Sequence, residues 1–413
     1  MKVLYFYQHF KTPAVAGGTR AYELAQRLIA RGHSVTMVCG KTVDLHLPAS
    51  DRPGIHRGMI DGIDVIQLDL PYSNYHGLLR RSWNFLRFAW RSILLAFREP
   101  YDLLFATSTP LTAGLPGMAI KLYRRSKPFV FEVRDLWPEL PRALGMKNPI
   151  LLGAMSLLEW GSYRAADAWV GLSPGICEGI VRRCRKHKPM AMIPNSCDLD
   201  IFHPRLRSEL NLKGIASTNF VAVFMGAHGI ANGLSAVLDA AAELVRRGRC
   251  DIVLAFIGDG KLKPDLMRRA ERDRLVNCRF FDPMPKVDLA RVVGSADAGL
   301  MILANVPAFY YGTSPNKFFD YIAAGLPVVN NYPGWLADMI QSQDCGLAVE
   351  PGNPAAFADA LVRLADHPED RARMGRNARR LAEQEFDRTV LGSRWVDFLE
   401  EVQRKSAGDE ARA

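Results

Sequence analysis

The sequence predicts an α/β protein built from two doubly wound, Rossmann-like domains that face each other across a cleft. Its 413 residues suffice for about two domains of roughly 150–200 residues each. Short apolar stretches alternate with helical stretches along the chain, which is typical of parallel sheets. The alternation starts a second time after Pro194-Asn195. Ligands of such sheets bind at the carboxyl ends of the strands, so the site is expected at the cleft.

The first domain is expected over residues 1–195. A buried strand over 3–7 leads into a glycine loop, and the following helix over 21–31 ends at Gly32. Further strands are predicted over 34–39, 64–68, 103–107, 129–133 and 169–172.

The second domain is expected over residues 196–385. Its strands are predicted over 221–225, 252–257, 279–281, 298–302 and 327–329, with helices between them. The remaining residues, 386–413, hold a last helix over 388–405. This helix lies beyond the second sheet, and we expect it to pack back on the first domain.

Composition and charge limit the class of partner. Hydrophobic residues make up 48% of the chain and charged residues 23%, which excludes a disordered or collagen-like protein. The net charge of +10 suits a nucleic acid, an anionic membrane surface or a phosphorylated ligand. The 7 scattered cysteines form no CxxC pair, which favours the reducing cytosol over a disulfide framework or a structural zinc site.

The chain is expected to be neither secreted nor integral to a membrane, because it has no signal-peptide pattern and no apolar run of about 18–20 residues. The segment 76–98 is different: it combines aromatic and aliphatic residues with five arginines and no acidic residue. This pattern is typical of an amphipathic helix in an anionic membrane interface, with Trp83 and Trp90 at headgroup depth. The alternative is a crossover helix that packs on the sheet.

Two candidate site segments follow predicted strands of the first domain. The Gly17-Gly18-Thr19-Arg20 loop lets backbone N–H groups approach an anion at a helix start, although a simple turn is the alternative. Arg134 and Asp135 come directly after the strand over 129–133, where doubly wound sheets place their chemistry. The alternative there is an Arg–Asp pair that only ties two loops together.

Two more segments lie in the second domain. His228 and Gly229 occupy a glycine-rich loop after its first strand, where the histidine either contacts a phosphate or is a plain surface residue. In the stretch 313–329, Ser314 or Asn316 is expected to cap a helix whose start binds an anion. Lys317 is electrostatically unfavourable in that first turn unless it serves the anion. Asp320, one helical turn on, can accept both hydroxyls of a ribose.

Other chemistries find no support in the sequence. Asp198-Leu199-Asp200 matches a metal-binding pattern, but its place in the linker favours hinge capping, and we expect no metal site. The Walker motif is missing. No motif that reads DNA or RNA accompanies the basic residues.

Taken together, these segments resemble a glycosyltransferase of the GT-B fold, family 4, over nearly the whole chain. The similarity rests on the Gly17-Gly18 loop, the linker from Ile193 to Phe202, Gly258-Asp259-Gly260, 295–300 and 319–329. The variants over 133–139 and 314–321 resemble the branch that builds bacterial O-antigen, capsule and exopolysaccharide on a polyprenyl carrier.

The chain departs from the family pattern at five positions. Of the usual Glu-x7-Glu pair, the first falls on Gly312 and the second on Asp320. The family's Arg and Lys in the opening loop of the second domain fall on Ala227 and Asn232. The histidine of its strand-end motif falls on Arg134.

The resemblance implies a retaining, metal-independent glycosyltransferase without a cofactor. Its donor is a nucleoside-diphosphate sugar, UDP-linked by preference, and its acceptor is a lipid-linked saccharide at the cytoplasmic face of the membrane. The base is expected at Pro283 and Met284 and the ribose at Asp320. The remaining donor-binding candidates, which surround the diphosphate, are Gly17, Gly18, Arg20, His228, Gly229, Ser314, Asn316 and Lys317.

Catalysis is assigned to three residues. Lys317 and Arg134 are expected to stabilise the departing diphosphate, and Asp135 is the base if a phosphate oxygen does not take the acceptor proton. Two other classes stay open: a nucleotide-sugar epimerase of the same fold, and a catalytically silent nucleotide-binding scaffold.

Overall fold

The computed structural model describes residues 1–14, 17–41, 45–71, 77–123, 127–206, 208 and 210–410. The chain divides into two units. Unit 1 comprises Met1–Pro194 together with Thr389–Ala413, and unit 2 comprises Asn195–Arg388. Each unit is built around one sheet with helices on both of its faces, which confirms the predicted α/β class.

Unit 1 contains an eight-stranded sheet. Its strands are β1 (Lys2–Phe6), β2 (Ser34–Lys41), β3 (Ile55–Ile60), β4 (Ile63–Pro71), β5 (Leu103–Thr107), β6 (Phe129–Val133), β7 (Ala168–Gly171) and β8 (Met190–Met192). They lie in the order β3-β4-β2-β1-β5-β6-β7-β8, and every pair is parallel except the β3–β4 hairpin at one edge. The strand order reverses between β1 and β5, so the switch point of this sheet lies there.

The helices of unit 1 cover both faces of its sheet. They are α1 (Arg20–Ala30), α2 (Leu78–Arg98), α3 (Leu115–Tyr123), α4 (Glu139–Ala143), α5 (Pro149–Ala165) and α6 (Pro174–Cys184). Apolar side chains of α2, α3, α5 and α6 form one core with the sheet. The core on the other face takes side chains from α1 and from the last helix, α15 (Arg388–Glu410), including the fully buried Trp395.

Unit 2 contains a six-stranded parallel sheet. Its strands are β9 (Phe220–Met225), β10 (Ile252–Ile257), β11 (Cys278–Phe281), β12 (Ala298–Met301), β13 (Val328–Asn330) and β14 (Gly346–Ala348). The order β11-β10-β9-β12-β13-β14 places the switch point between β9 and β12. The helices are α7 (Ser235–Arg246), α8 (Lys263–Arg272), α9 (Lys286–Gly294), α10 (Pro307–Tyr310), α11 (Asn316–Ala323), α12 (Trp335–Ser342), α13 (Pro354–Asp366) and α14 (Pro368–Glu385).

Among the described residues, no helix combines the length and apolar character that a membrane span requires.

Candidate active site

Helix α11 is held against the switch point of unit 2. The backbone N–H of Met225, the last residue of β9, donates to the buried Tyr321 hydroxyl over 3.1 Å. The side chain of Tyr321 packs so closely on Gly299 of β12 that a Cβ at this glycine would collide with the ring. These two contacts fix the first turns of α11 beside the loop that follows β9, where a doubly wound sheet binds its ligand.

Lys317 lies in the first turn of α11 and points at that loop. Its ammonium group donates to Asn232 Oδ1 over 2.6 Å and lies 4.3 Å from the centre of the Phe224 ring. Burial lowers the pKa of Lys317 to about 7. No carboxylate of the described residues pairs with this lysine, so its charge is offset only by an amide and an aromatic face.

Asp320 follows Lys317 by one helical turn and remains unpaired. None of the described residues donates a hydrogen bond to its carboxylate, and its side chain is partly exposed. Burial raises the pKa of Asp320 to about 7, with the positive charge of Lys286 lowering it and Asp198 raising it. A carboxylate with free acceptor positions can bind two neighbouring hydroxyl groups.

The loop after β9 is locked by backbone contacts to the loop after β10. The N–H of His228 donates to the Asp259 carbonyl over 2.9 Å, and the His228 carbonyl accepts from Leu262 N–H over 3.0 Å. A Cβ at Gly258 would collide with the Gly226 carbonyl oxygen, so this approach requires glycine, which also sits at φ +145°.

The imidazole of His228 is fully buried among Phe224, Phe256 and Phe280. Burial, followed by the charge of Lys263, lowers the pKa of His228 to about 4, so the ring is neutral at pH 7. The structure therefore excludes the surface interpretation of this ring, and its contact with a phosphate stays a prediction. The adjacent Gly229 is partly exposed and stays a candidate backbone contact.

The predicted capping of α11 is wrong. The residue before the helix is Pro315, and no side chain caps the helix start. Ser314 is buried, and its hydroxyl accepts from the Asn195 backbone N–H over 3.0 Å. Asn316 is exposed at the first helical position. Ser314 therefore joins the linker to α11, which leaves the free backbone N–H groups of the helix start without side-chain competition.

Pro283 and Met284 lie in the loop between β11 and α9, and Pro283 is exposed. Lys286, which follows them, pairs with Asp198 over 2.6 Å, and Arg388 donates to the same carboxylate oxygen over 2.8 Å. Asp198 is thus used in ion pairs. Over the described ranges, no group of histidine, cysteine, aspartate and glutamate side chains is arranged to hold a metal.

In unit 1, Arg20 is engaged by the protein itself. Its guanidinium pairs with Glu132 over 2.7 Å and donates to the carbonyls of Ile193 and Pro194 over 2.8 and 2.6 Å. The two side chains are 7% and 0% exposed. Burial would raise the pKa of Glu132, but the charge and hydrogen bonds of Arg20 bring it below its usual value. These contacts give Arg20 a structural role in place of the predicted contact with the donor.

The Gly17-Gly18 turn is exposed, as an anion-binding loop requires. Gly17 has φ +136°, and a Cβ there would lie 2.9 Å from the Lys11 ammonium nitrogen. Lys11 therefore brings a positive charge to this turn. The sequence alone does not reveal that the Lys11 side chain lies beside Gly17.

Arg134 and Asp135 extend from the end of β6 and do not simply pair with each other. Arg134 donates to the Tyr7 hydroxyl over 2.9 Å, and its backbone N–H donates to Ser108 Oγ over 2.8 Å. Asp135 accepts from the Thr109 hydroxyl over 3.3 Å. Burial raises the pKa of Asp135, with the charge of Arg134 acting against it. Both side chains are partly exposed.

Comparison with known families identifies the class of protein. Residues 16–196 match the family described as glycosyl transferase 4-like domain, and residues 219–367 match the family described as glycosyl transferases group 1. Together the two matches cover about four-fifths of the chain. With the two doubly wound units, they show that the chain belongs to the GT-B glycosyltransferases.

Individual relatives are distant. The alpha-D-kanosaminyltransferase of Streptomyces kanamyceticus is 27% identical over 208 residues, which are 48% of this chain and 49% of that protein. The probable glycosyltransferase WbjE of Pseudomonas aeruginosa is 24% identical over 79% of this chain and 82% of its own length. The amylovoran biosynthesis glycosyltransferase AmsK of Erwinia amylovora is 24% identical over 41% of this chain and 42% of its own length. The chain aligns with about half the length of several such relatives.

Solved structures share the fold over nearly the full length. Sucrose-phosphate synthase from Thermosynechococcus elongatus superposes with a TM-score of 0.78 at 18% identity, covering 97% of this chain and 98% of that one. Anabaena HepE in complex with UDP gives a TM-score of 0.68 at 15% identity, covering 97% of this chain and 100% of that one.

Proposed function

We propose that this protein is a retaining glycosyltransferase that moves a sugar from a UDP-sugar to a polyprenyl-linked saccharide in bacterial surface-polysaccharide synthesis. The observation that carries the proposal is the pair Lys317 and Asp320 on α11. Both are desolvated, they are one turn apart, and neither is paired with the other or with an opposite charge. A lysine and a carboxylate left in this state at a switch point suit a ligand with an anionic and a hydroxyl-bearing part.

A nucleoside diphosphate has these two parts. The α11 start and Lys317 are proposed to bind its diphosphate, and Asp320 is proposed to accept from the ribose hydroxyls. The loop at Pro283 and Met284 is proposed to receive the base. Anabaena HepE, which shares the fold, binds UDP, and this supports a nucleotide donor.

The proposed reaction breaks the bond between the anomeric carbon and the diphosphate oxygen, whose electron pair stays on the leaving group. The acceptor oxygen forms the new bond on the same face, and its proton passes to a phosphate oxygen. Lys317 stabilises the charge that develops on the diphosphate. Asp135 of unit 1 is retained as the alternative base for the acceptor proton, because burial raises its pKa. The proposal needs no metal and no cofactor.

The acceptor is proposed to reach unit 1 from the cytoplasmic face of a membrane to which α2 binds. The inner face of this helix packs on the sheet through residues such as Phe88, whereas Trp83, Leu86 and Trp90 are 62%, 51% and 63% exposed. One face of the helix thus packs on the sheet, as the crossover interpretation predicts, and the exposed apolar face supports the proposed membrane binding. No acidic residue lies between Leu78 and Arg98, and this charge pattern suits an anionic surface.

The exposed apolar surface continues beyond α2. Tyr123, at the end of α3, places its ring 5.8 Å from that of Phe97 on α2 and is 78% exposed, and the neighbouring Leu122 is 74% exposed. We define the membrane surface as Trp83, Leu86, Trp90, Leu122 and Tyr123. Because it combines the outer faces of two adjacent helices, it supports a protein that lies on the bilayer rather than one that crosses it.

The experiment that tests the function is a donor panel. Purified protein is incubated with a bacterial membrane lipid extract and with labelled UDP-, GDP- or dTDP-sugars, with and without EDTA. We expect label from a UDP-sugar to enter the lipid phase, with EDTA making no difference. Nucleotide release without lipid labelling would favour the epimerase. Nucleotide binding without turnover would favour the silent scaffold, in line with the departures at Gly312, Ala227 and Asn232.

A further inference from the structure

A group of cationic side chains surrounds His9 at the carboxyl edge of the unit 1 sheet. Tyr7 and His9 follow β1, and their rings lie 6.2 Å apart. The Tyr7 hydroxyl accepts from Arg134 at the end of β6. The His9 ring also lies 6.4 Å from that of Phe85, one turn after Arg81 near the start of α2. Three separate segments therefore converge on one imidazole beside the β1–β5 switch point.

The charges that act on His9 are positive. Burial has the largest effect on its pKa, and Arg134, Arg81 and Lys11 lower it further, to about 4. The imidazole thus stays neutral at pH 7 and does not add a fourth positive charge. Two acidic residues also lie at this edge. Glu132 pairs with Arg20, and Asp135, which accepts from the Thr109 hydroxyl, interacts electrostatically with Arg134.

The same edge includes an exposed turn that can approach a ligand. The Lys11 ammonium nitrogen lies next to the backbone of Gly17, and the Gly17-Gly18 turn is exposed. Backbone N–H groups and three cationic side chains suit a doubly charged oxyanion. Arg81 belongs to the helix that carries the membrane surface, so an anion bound here lies close to the amino-terminal end of that surface.

We propose that Lys11, Arg81 and Arg134 of unit 1 bind a phosphate or diphosphate group carried by the acceptor substrate. This inference rests on the proposed function and names the acceptor class, a lipid with a phosphate-bearing head. A polyprenyl diphosphate carries its charge directly where its chain leaves the bilayer. The anion is therefore bound at the end of α2, and the attached saccharide extends away from the membrane.

Inorganic pyrophosphate tests this site in the full-length protein. Its binding is measured calorimetrically in the presence of saturating UDP, which occupies the donor site proposed in unit 2. The test variant is Lys11→Gln with Arg81→Gln. The control is Arg87→Gln with Arg98→Gln, which removes the same charge from exposed positions of α2. We expect the test variant to bind at least about tenfold more weakly and the control to match the wild type.

Farnesyl diphosphate in detergent micelles and phosphatidylglycerol vesicles distinguish the sources of the phosphate. An acceptor site predicts that the test variant loses affinity for farnesyl diphosphate while its vesicle binding follows that of the control. If the test variant instead lost affinity for vesicles and kept its affinity for farnesyl diphosphate, the cations would be assigned to bilayer headgroups and the proposal would be overturned. Equal pyrophosphate affinity in all three proteins, or competition by UDP, would also overturn it. If the double variant does not fold, Lys11→Gln alone gives the same comparison.

These measurements are independent of sugar transfer. A protein that fails the donor panel but binds pyrophosphate through Lys11 and Arg81 would lose the proposed activity and keep the anion site. A protein that transfers sugar with an unchanged acceptor KM in the test variant would keep the activity and lose the site.

Discussion

Single side chains determine what unit 2 can bind, and the state of two of them is unusual. The pKa values of Lys317 and Asp320 are both about 7, so each side chain changes its charge near neutral pH. Burial disfavours the charged form of each side chain, so it lowers the pKa of the lysine and raises the pKa of the aspartate. A ligand that supplies phosphate oxygens to one and hydroxyl groups to the other restores the interactions that both lose on folding.

These pKa values predict that affinity for the donor peaks near neutral pH. Below about pH 7 Asp320 is protonated and accepts fewer hydrogen bonds from ribose. Above about pH 7 Lys317 loses its charge and attracts the diphosphate less. The affinity for a UDP-sugar, whose diphosphate does not titrate in this range, is therefore expected to fall on both sides. Calorimetry between pH 5.5 and 8.5, roughly one and a half units to either side, measures both limbs.

Variants assign each limb of this profile. Lys317→Ala is expected to remove the alkaline limb and to lower turnover about 100-fold. Asp320→Asn is expected to remove the acid limb. Lys261→Ala, which changes an exposed lysine of the same unit, serves as the control. A Lys317→Ala protein with wild-type turnover would exclude this lysine from the mechanism.

Arg20 gives a prediction about stability. Removing one partner of a buried ion pair leaves the other charge uncompensated, so Arg20→Ala or Glu132→Gln is expected to lower the free energy of unfolding by about 3–5 kcal/mol. Urea denaturation measures this loss. The double variant Arg20→Met with Glu132→Leu is expected to regain most of it. An Arg20→Ala protein of unchanged stability that binds donor weakly would restore the predicted donor contact.

The positions of these residues could be predicted from the sequence only where a local pattern decides them. The motif predicts Asp320 on a helix and the strand pattern predicts Arg134 directly after a strand, and both lie there in the structure. Glu132 lies 112 residues from Arg20, and no local pattern shows that the two form a pair. The burial of His228 depends in the same way on three phenylalanines from neighbouring strands.

At the scale of elements, the sequence predicts best the central strands, which are buried on both faces of a sheet. The strands over 103–107, 129–133 and 252–257 agree with the structure at both ends, because a continuous apolar run marks a central parallel strand. The structure adds β3, β8 and β14, which the sequence patterns do not predict. All three lie at sheet edges, and two of them have only 3 residues, so their patterns are too short or too exposed to stand out.

Helix α2 gives a prediction at this scale. Trp83→Gln with Trp90→Gln removes two exposed rings from the membrane surface and is expected to weaken binding to phosphatidylglycerol vesicles at least about tenfold. The melting temperature should stay close to that of the wild type, because neither ring belongs to the core. Co-sedimentation with vesicles measures the binding.

The control for this experiment comes from unit 2. Val276 and Val287 are 57% and 54% exposed there, and Val276→Gln with Val287→Gln is expected to leave vesicle binding unchanged. Phe88 is unsuitable as a test position because it is fully buried. Vesicle binding that survives loss of both tryptophans would contradict a membrane role for α2.

At the scale of the whole molecule, unit 1 is assembled from both ends of the chain. Trp395, Val396 and Leu399 of α15 are fully buried in the core that β1, β2 and α1 form, so residues 1–194 alone lack part of their own interior. We expect a fragment of residues 1–194 to be poorly soluble. Adding a peptide of residues 389–413 should restore a cooperative thermal transition, as circular dichroism would show.

A matched fragment supports the interpretation of that experiment. Residues 195–388 form a continuous unit and are expected to fold without any addition. The peptide carrying Trp395→Ala should rescue the first fragment less well, because a truncated core tryptophan costs about 3–5 kcal/mol. A 1–194 fragment that is stable by itself would show that α15 contributes little to the core.

The path of the chain also sets the order of events on the ribosome. The eight strands of the first sheet precede residue 195, yet α15, which covers part of one of its faces, begins only at Arg388. All of 195–388 must be synthesised before that helix appears, so the second unit can become native while the first still exposes apolar surface. During each round of translation the nascent amino-terminal sheet therefore keeps apolar surface exposed to aggregation or chaperone binding until α15 has been synthesised.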